Sequence, residues 1–579
     1  MRRPLTFGGT LRTLAARLFP EGQFVARGFR RVFAGAALLA LVLVLPTGCG
    51  PRVTRVEQGI REQVLHVGNG TEPAELDPHL VTGIPEHHII EALLEGLVSP
   101  DPRDLSPRPG AAERWEISPD GLVYTFHLRK NGKWSNGELF VAQDVVETYK
   151  RILTPTLASE YGYMLYPITN AEAYATGKLK DFAQVGVKAL DPLTVQMTLS
   201  SSTPYFLSLL ACHYSGWPVH VPTIRKYGPV HERGNKWTRE GHFVGNGPFV
   251  LDTWKVNQLI VVRKNTNYWD ADRVKLNAIY FHPIENNNSE ERMFRTGLLH
   301  KSDTLPATKI EVYRREWPET LQAEPFLGTY FYRINVTKPP LNNPKLRRAL
   351  AMAIDREAIV KNVTRGGQIP AFHLTPPGTA GYTARARITE DREAARKLLA
   401  EAGHPGGKGL PNIELLFNTQ ESHKAIAEAI QQMWKRELGI ETRLVNQEWK
   451  VYLDSQHRLN YQICRAAWIG DYVDPNTFLD MFVTGGGNND TGWSNAAYDQ
   501  LIRDAARTSN PEARREIFQR AEEILTQEMP IIPIYFYTRV HLLHPSVKGY
   551  YPNVLDQHPL KYVYLESAAR LPGAKTQRH

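Results

Sequence analysis

Arg465-Ala466-Ala467-Trp468-Ile469-Gly470-Asp471-Tyr472 follows an alternating run, Leu459, Tyr461 and Ile463, and precedes Val473-Asp474-Pro475. Alternation reads as a strand, and the Asp-Pro pair after it as a loop. A strand is therefore expected to end in an arginine, a tryptophan and an aspartate. An aspartate at a strand end beside an indole can receive an ammonium group: the carboxylate pairs with it and the ring helps exclude water. Arg465, six residues back, is too far along the chain to neutralise Asp471 automatically. One site could then hold both a cation and an anion, and a molecule with an ammonium at one end and a carboxylate at the other is a peptide. On the pattern alone, an ordinary strand end with solvated charges stays open.

Around this stretch, from about residue 328, longer helices alternate with strands. Asn343-Pro344 is a cap followed by a first-turn proline, with Leu346, Ala349, Leu350, Ala353 and Ile354 behind it. Thr389 is expected to open a helix that Gly403 closes. Ser422 is expected to cap another, with Ile426, Ile430, Met433 and Trp434 on one face and Gly439 at its end. Strands are expected over 442–445, 531–537 and 540–543. The alternation indicates an α/β lobe.

The chain before residue 328 is richer in β patterning. A strand is expected at 64–69, a loop at 70–78 and a helix over 89–97. Leu122, Tyr124, Phe126 and Leu128 share one face of a strand, and Asn131-Gly132 supplies a turn before Trp134. Residues 142–152 read as a helix, and 187–210 and 244–281 as β-rich.

The N-terminal 48 residues differ from all of this. They hold seven arginines and one acid, Glu21, so six of the nine net positive charges of the 579-residue chain sit there. Arg30-Arg31 is followed by 14 apolar residues, 32–45, and then by Pro46-Thr47-Gly48-Cys49. This is the pattern of a secretory signal, and the apolar run is short of the roughly 20 residues of a membrane span. Thr47-Gly48-Cys49 resembles a bacterial lipobox, in which the cysteine is lipid-modified, although Pro46 stands where a leucine is usual. An ordinary cleaved signal and an uncleaved anchor remain open, and all three place the body outside the cytoplasm, in the periplasm or cell envelope.

The whole chain is 42% hydrophobic and 22% charged, and its body carries little net charge and no concentrated basic run, so nucleic acid is not an expected partner. Length alone sets a prior of about three to four domain-sized units. Beside Cys49, Cys212 and Cys464 could pair in an oxidising compartment, though two cysteines do not establish a disulfide. His87-His88 with Glu91 raises the idea of a metal, but adjacent histidines on a regular element do not face one ion; neither metal nor cofactor is expected. There is no HExxH, GxSxG or Walker loop, so catalysis is not expected.

Several motifs combine in order: Ala112-Glu113-Arg114-Trp115, Ser118-Pro119-Asp120-Gly121, Tyr124-Thr125-Phe126-His127-Leu128-Arg129 and Trp134-Ser135-Asn136-Gly137. Asn246-Gly247-Pro248-Phe249, Asn267-Tyr268-Trp269, Ala353-Ile354-Asp355-Arg356-Glu357, Lys397-Leu398-Leu399-Ala400-Glu401-Ala402-Gly403 and Ile532-Pro533-Ile534-Tyr535 follow. Together, over 64–565, the chain resembles the family 5 bacterial extracytoplasmic solute-binding proteins of the oligopeptide type. The resemblance implies a two-lobe periplasmic-binding-protein clamp, type II-like and of the large class with an extra domain on the first lobe. The implied organisation is a signal at 1–48, lobe I from 49–94, 222–327 and 538–579, the extra domain at 95–221, and lobe II at 328–537, with hinge crossings near 328 and 537.

It also implies site residues. Asp471 after Trp468 matches the anchor of a peptide's amino group, Arg465 a residue receiving a tripeptide carboxylate, and His423 one that serves longer ligands. Tyr161 matches a cleft tyrosine, Tyr330 and Phe331 lie where the chain crosses between lobes, and Ile84 lies in the cleft loop 81–86. A solvated His423 and plain core packing of the three aromatics remain open. Thr82 and Arg333 stand where the enteric oligopeptide binder has acids, and Thr364, beside Arg365, where it has a lysine. Its disulfide positions correspond to Gly328 and Ile469. The implied partners are short peptides and an ABC permease with its ATPase in the inner membrane, with attachment through a lipid on Cys49, and the chain is expected to be monomeric. Murein tripeptide, dipeptide, nickel or haem binding within the family, and a surface lipoprotein with a sensing or chaperone role, are the alternatives.

Overall fold

The computed structural model describes residues 53–568. The leader and Cys49 lie outside the described residues. Three sheets organise the molecule. The first sets strand Val64–Gly68 parallel to Ala278–His282, which continues antiparallel through Leu259–Lys264 to Phe249–Lys255. The second is an antiparallel sheet of Ala112–Ile117, Val123–Leu128, Thr194–Thr198 and Val187–Asp191. The third has six strands in the order Ile369–Pro370, Ile531–Leu542, Leu321–Ile334, Ile463–Ile469, Ile413–Asn418 and Thr442–Gln447.

Two long strands link the first and third sheets. Leu321–Ile334 and Ile531–Leu542 pair antiparallel, at 321–325 with 538–542 and again at 329–333 with 531–536, with a register shift between. At one end Ser302 N–H donates to the Leu542 carbonyl, and Lys301 bridges to both Val67 and Leu543, tying the pair to the first sheet. At the other end the same two strands form the middle of the third sheet. The chain therefore crosses between two lobes as a paired ribbon whose ladder is broken at 326–328 opposite 537.

Local signals explain most elements. Asn343 caps Lys345 N–H with Pro344 in the first turn, and Gly439, at φ +69, ends the helix Glu421–Leu438. Several boundaries differ from the sequence expectation. The helix of the 81–97 region is Ile84–Leu93: Gly83 is extended and Pro85 sits in the first turn, so Ile84 and Pro85 belong to the helix rather than to a loop. Asp391, which accepts from Ala394 N–H, caps the helix expected from Thr389. The helix beginning at Glu421 is preceded by Gln420, leaving Ser422 inside its first turn. Phe206–Cys212, within a stretch read as β-rich, is helical. The runs 531–537 and 540–543 are one continuous strand. Leu459, at φ +53, turns the chain after the helix Trp449–His457, so the strand starts at Ile463 and contains Arg465 and Trp468 rather than ending in them.

Cys212 and Cys464 are both free and buried. Gly328 and Ile469 face each other directly in the ladder. Antiparallel partners have Cα atoms about 4.5–5.5 Å apart, within the range a disulfide spans. A G328C/I469C double variant is therefore expected to lose both new thiols to a disulfide on air oxidation. Two persistently titratable extra thiols in the folded protein would show that this register is wrong.

Candidate functional site

The cavity between the lobes holds about 600 Å³ and is lined from both sides. Its centre is the strand Ile463–Ile469. One edge of that strand pairs with Gly328–Ile334 along its whole length. The other edge pairs with Ile413–Asn418 only at Ile463 and Cys464. Beyond Cys464 the backbone turns an edge to the cavity. The Arg465 carbonyl is taken by the Tyr452 hydroxyl and Gln456, but Ala466, Ala467, Trp468 and Ile469 continue along the cavity wall.

Asp471 sits just past the end of this strand and is buried. Thr477 fixes it twice: its hydroxyl accepts from Asp471 N–H at 2.9 Å and donates to Oδ2 at 3.1 Å. Trp468 is pinned by its indole N–H on the Thr477 carbonyl, 2.6 Å away, so one short turn orients both side chains. His213 Nε2 lies 3.4 Å from Asp471 Oδ1. Ser215 N–H donates to His213 Nδ1 at 3.2 Å, which leaves the ring proton on Nε2, facing the carboxylate. Burial holds His213 well below its usual pKa, so this neighbour is neutral. Tyr161 closes the pocket, with its ring centroid 4.2 Å from His213 and 6.1 Å from Trp468. Among the described residues no lysine or arginine pairs with Asp471. Burial accordingly pushes its carboxyl up to about 8.

Arg465 is the counterpart of opposite sign. Its guanidinium lies 4.9 Å over the Tyr330 ring, with Nη2 donating to the Tyr537 hydroxyl at 2.9 Å and Nη1 to Asn418 at 3.4 Å. Nε is buried without a hydrogen-bond partner, and among the described residues no acid pairs with this arginine. Arg333, which lines the same cavity, is by contrast neutralised by Asp490. His423, at the start of its helix, is buried with Nδ1 unpartnered, and burial, with Arg465 nearby, holds it neutral.

Six of the expected residues therefore line one cavity: Ile84, Tyr161, His423, Arg465, Trp468 and Asp471. Two do not. Tyr330 is fully buried beneath Arg465, stacked 4.8 Å from Tyr535, and supports the wall from behind. Phe331 points to the other side of the same strand and packs edge-on against Phe482 in the core. Sequence reasoning missed His213, whose neighbours Cys212 and Tyr214 give no periodic signal. It also missed Asn418, Tyr537 and Trp449. At the cavity mouth Glu421 joins the lobes, accepting from Asn286 at 2.7 Å and Asn288 at 2.8 Å. Among the described residues there is no group of His, Cys, Asp or Glu that could hold a metal ion, and no helix long and apolar enough to cross a membrane.

Two lobes joined by a paired ribbon, closing over a cavity with an uncompensated acid and an uncompensated cation, define a solute-binding clamp. The chain belongs to the bacterial extracellular solute-binding proteins, family 5, whose middle-region model matches residues 106–490. It is a binding protein and not an enzyme. The periplasmic oligopeptide-binding protein OppA of Salmonella typhimurium is 35% identical over 551 residues, 93% of this chain and 98% of that protein. The Haemophilus influenzae OppA complex with RPPGFSPFR matches with a TM-score of 0.81 at 33% identity, covering 87% of this chain and 99% of that one. The murein tripeptide binding protein MppA of Escherichia coli matches with a TM-score of 0.82 at 34% identity, covering 87% and 98%. An unliganded open form of MppA reaches only 0.59 at the same identity, covering 87% and 97%, so the lobes here are set differently from that open arrangement.

Proposed function

We propose that this chain captures short peptides outside the cytoplasm, between its lobes, and delivers them to the permease and ATPase of an ABC importer. One observation carries the reading: a buried carboxylate and a half-buried guanidinium, each without a counter-charge, line the same cavity on either side of an open strand edge. A zwitterionic ligand supplies both missing charges. Its main chain would pair with the 466–469 edge as an added strand, giving affinity without dependence on side-chain identity. Asp471 would take the α-ammonium and Arg465 the carboxylate of a short ligand, with His423 available to longer ones. The names of the relatives, oligopeptide and murein tripeptide binders, support this chemistry. Closure would be a rigid motion of the lobes about the broken ladder at 326–328 and 537, latched by Glu421. On this reading the body acts as a monomer held to a membrane through Cys49.

Native mass spectrometry of the chain purified from cells, followed by acid release, tests the proposal. Mixed added masses of short peptides support it. A single murein peptide mass narrows the substrate, which the likeness to MppA makes the second reading. A chain that carries nothing and binds no added peptide ends it.

The raised pKa of Asp471 gives a further expectation. Its ordinary value is 3.8 and burial between the lobes, as they are set here, raises it to about 8, so near pH 6.5 the carboxyl is protonated in this arrangement. Folding stability falls as pH rises between these two values, because the folded state binds the extra proton. An ammonium ligand reverses the preference, so binding at pH 6.5 is expected to release close to one proton and affinity to rise with pH towards 8. Calorimetry in buffers of different ionisation enthalpy reads this directly. Equal binding enthalpies in all buffers would mean that Asp471 is already ionised.

A further inference from the structure

Away from the cleft, a second hollow of about 640 Å³ lies between the 101–109 hairpin, the turn at 269–273 and the segment 549–564. Arg103, Arg108, Arg129, Arg273 and Lys561 line it, against two acids, Asp101 and Asp270. Three of the cations are accounted for. Lys561 Nζ rests on Glu95 at 2.7 Å, Arg108 pairs with Asp101 at 3.2 Å, and Arg273 with Asp270 at 3.4 Å.

Arg103 and Arg129 are different: among the described residues neither has an acid partner, yet both are held in place. Arg129 stacks on Trp269, its guanidinium carbon 3.5 Å from the ring centroid, and its Nε donates to the Gly110 carbonyl at 2.7 Å. Arg103 lies 4.5 Å over the Tyr551 ring and donates to that hydroxyl at 3.2 Å. Arg129 is also half-buried; burial draws its pKa down, while Glu95, Glu113 and Asp270, near it but not paired with it, act the other way. Desolvating a cation that has no directly paired acid is unfavourable, and an anion in the hollow offsets it. A guanidinium fixed by stacking presents its remaining N–H groups as a planar fork, which matches phosphate and carboxylate oxygens. Two arginines without a direct ion pair on one hollow favour a phosphate, with its several oxygens, over a single carboxylate, and the phenols of Tyr551, Tyr562 and Tyr564 on the same wall add donors.

We propose that this hollow is a second binding site, independent of what the cleft holds, for a phosphate-bearing anion gripped by Arg103 and Arg129. The chemistry is shared by a free phosphorylated solute and by a phospholipid headgroup. The test titrates the full chain with inorganic pyrophosphate at 0.15 M salt, following the fluorescence of the tryptophans. A parallel arm measures sedimentation with phosphatidylglycerol and with phosphatidylcholine vesicles. Saturable pyrophosphate binding, weakened at least tenfold by Arg103→Gln and by Arg129→Gln with peptide binding unchanged, supports the site. If phosphatidylglycerol vesicles also retain the chain and Arg103→Gln abolishes this, the headgroup is the source; if they do not, it is a free solute. Arg103 is exposed, so its variant decides the matter even where Arg129→Gln fails to fold. No binding in either arm, or binding that the variants leave unchanged, overturns the proposal.

Discussion

Asp471→Ala is expected to weaken short-peptide binding by a factor of tens to thousands, without lowering the melting temperature of the free protein. The magnitude follows from removing one member of a buried, hydrogen-bonded charge pair, which typically costs about 2–5 kcal/mol of binding. The direction of the stability effect follows from the burial of the carboxyl. It lies among Trp468, Tyr161, Tyr214 and a neutral His213, with its pKa pushed up to about 8. Alanine removes a group that opposes folding as pH rises, so above pH 7 the free variant is expected to be at least as stable as the parent. Asp471→Asn separates charge from shape, since the amide oxygen can still accept from Thr477. It is expected to bind peptides with a free amino terminus as poorly as the alanine variant, and N-acetylated peptides no worse than the parent does. Isothermal titration with one tripeptide and its acetylated form gives both comparisons. Parent-like affinity of either variant for the free peptide would remove Asp471 as the anchor.

Legibility in the sequence followed the range of the interactions. Asn343-Pro344 and Gly439 act within a turn of their own backbone, and both were readable. The Trp468–Asp471 unit was readable for the same reason: Thr477, which orients both side chains, lies only a few residues further on. Leu459 misled because Leu459, Tyr461 and Ile463 alternate by chance across a helix end and a strand start, and only the left-handed φ of Leu459 separates them. Tyr330 and Phe331 could be assigned to opposite faces but not to wall or core. From Leu327 to Ile334 the crossing strand is buried on both sides, and the polar Thr329 and Arg333 share the face of Phe331, the core-facing residue, so polarity does not separate wall from core. His213 was out of reach altogether. It meets Asp471 across 258 positions of sequence, and nothing near it in the chain marks the encounter.

Arg465→Met is expected to be the other large effect, and one selective for ligand length and terminus. Methionine keeps an unbranched stem over Tyr330 and removes the charge together with the hydrogen bonds to Tyr537 and Asn418. In the parent no acid neutralises this guanidinium, and its Nε is buried without a partner. A ligand carboxylate reaching it therefore forms a charge pair whose loss is again worth about 2–5 kcal/mol, or tens to thousands in affinity. The same peptide with an amidated carboxyl terminus never forms that pair, so it is expected to bind parent and variant alike, and weakly. Longer peptides, whose carboxylate lies past Arg465 and nearer His423, are expected to lose less. A panel of one sequence at two to five residues, each as acid and amide, turns this into a length profile: the peptide for which acid and amide differ most in the parent is the one whose carboxylate meets Arg465. Equal losses for acid and amide would instead make Arg465 a brace for Tyr537 and Asn418, and the carboxylate end of the ligand would have to be sought elsewhere on the cavity wall.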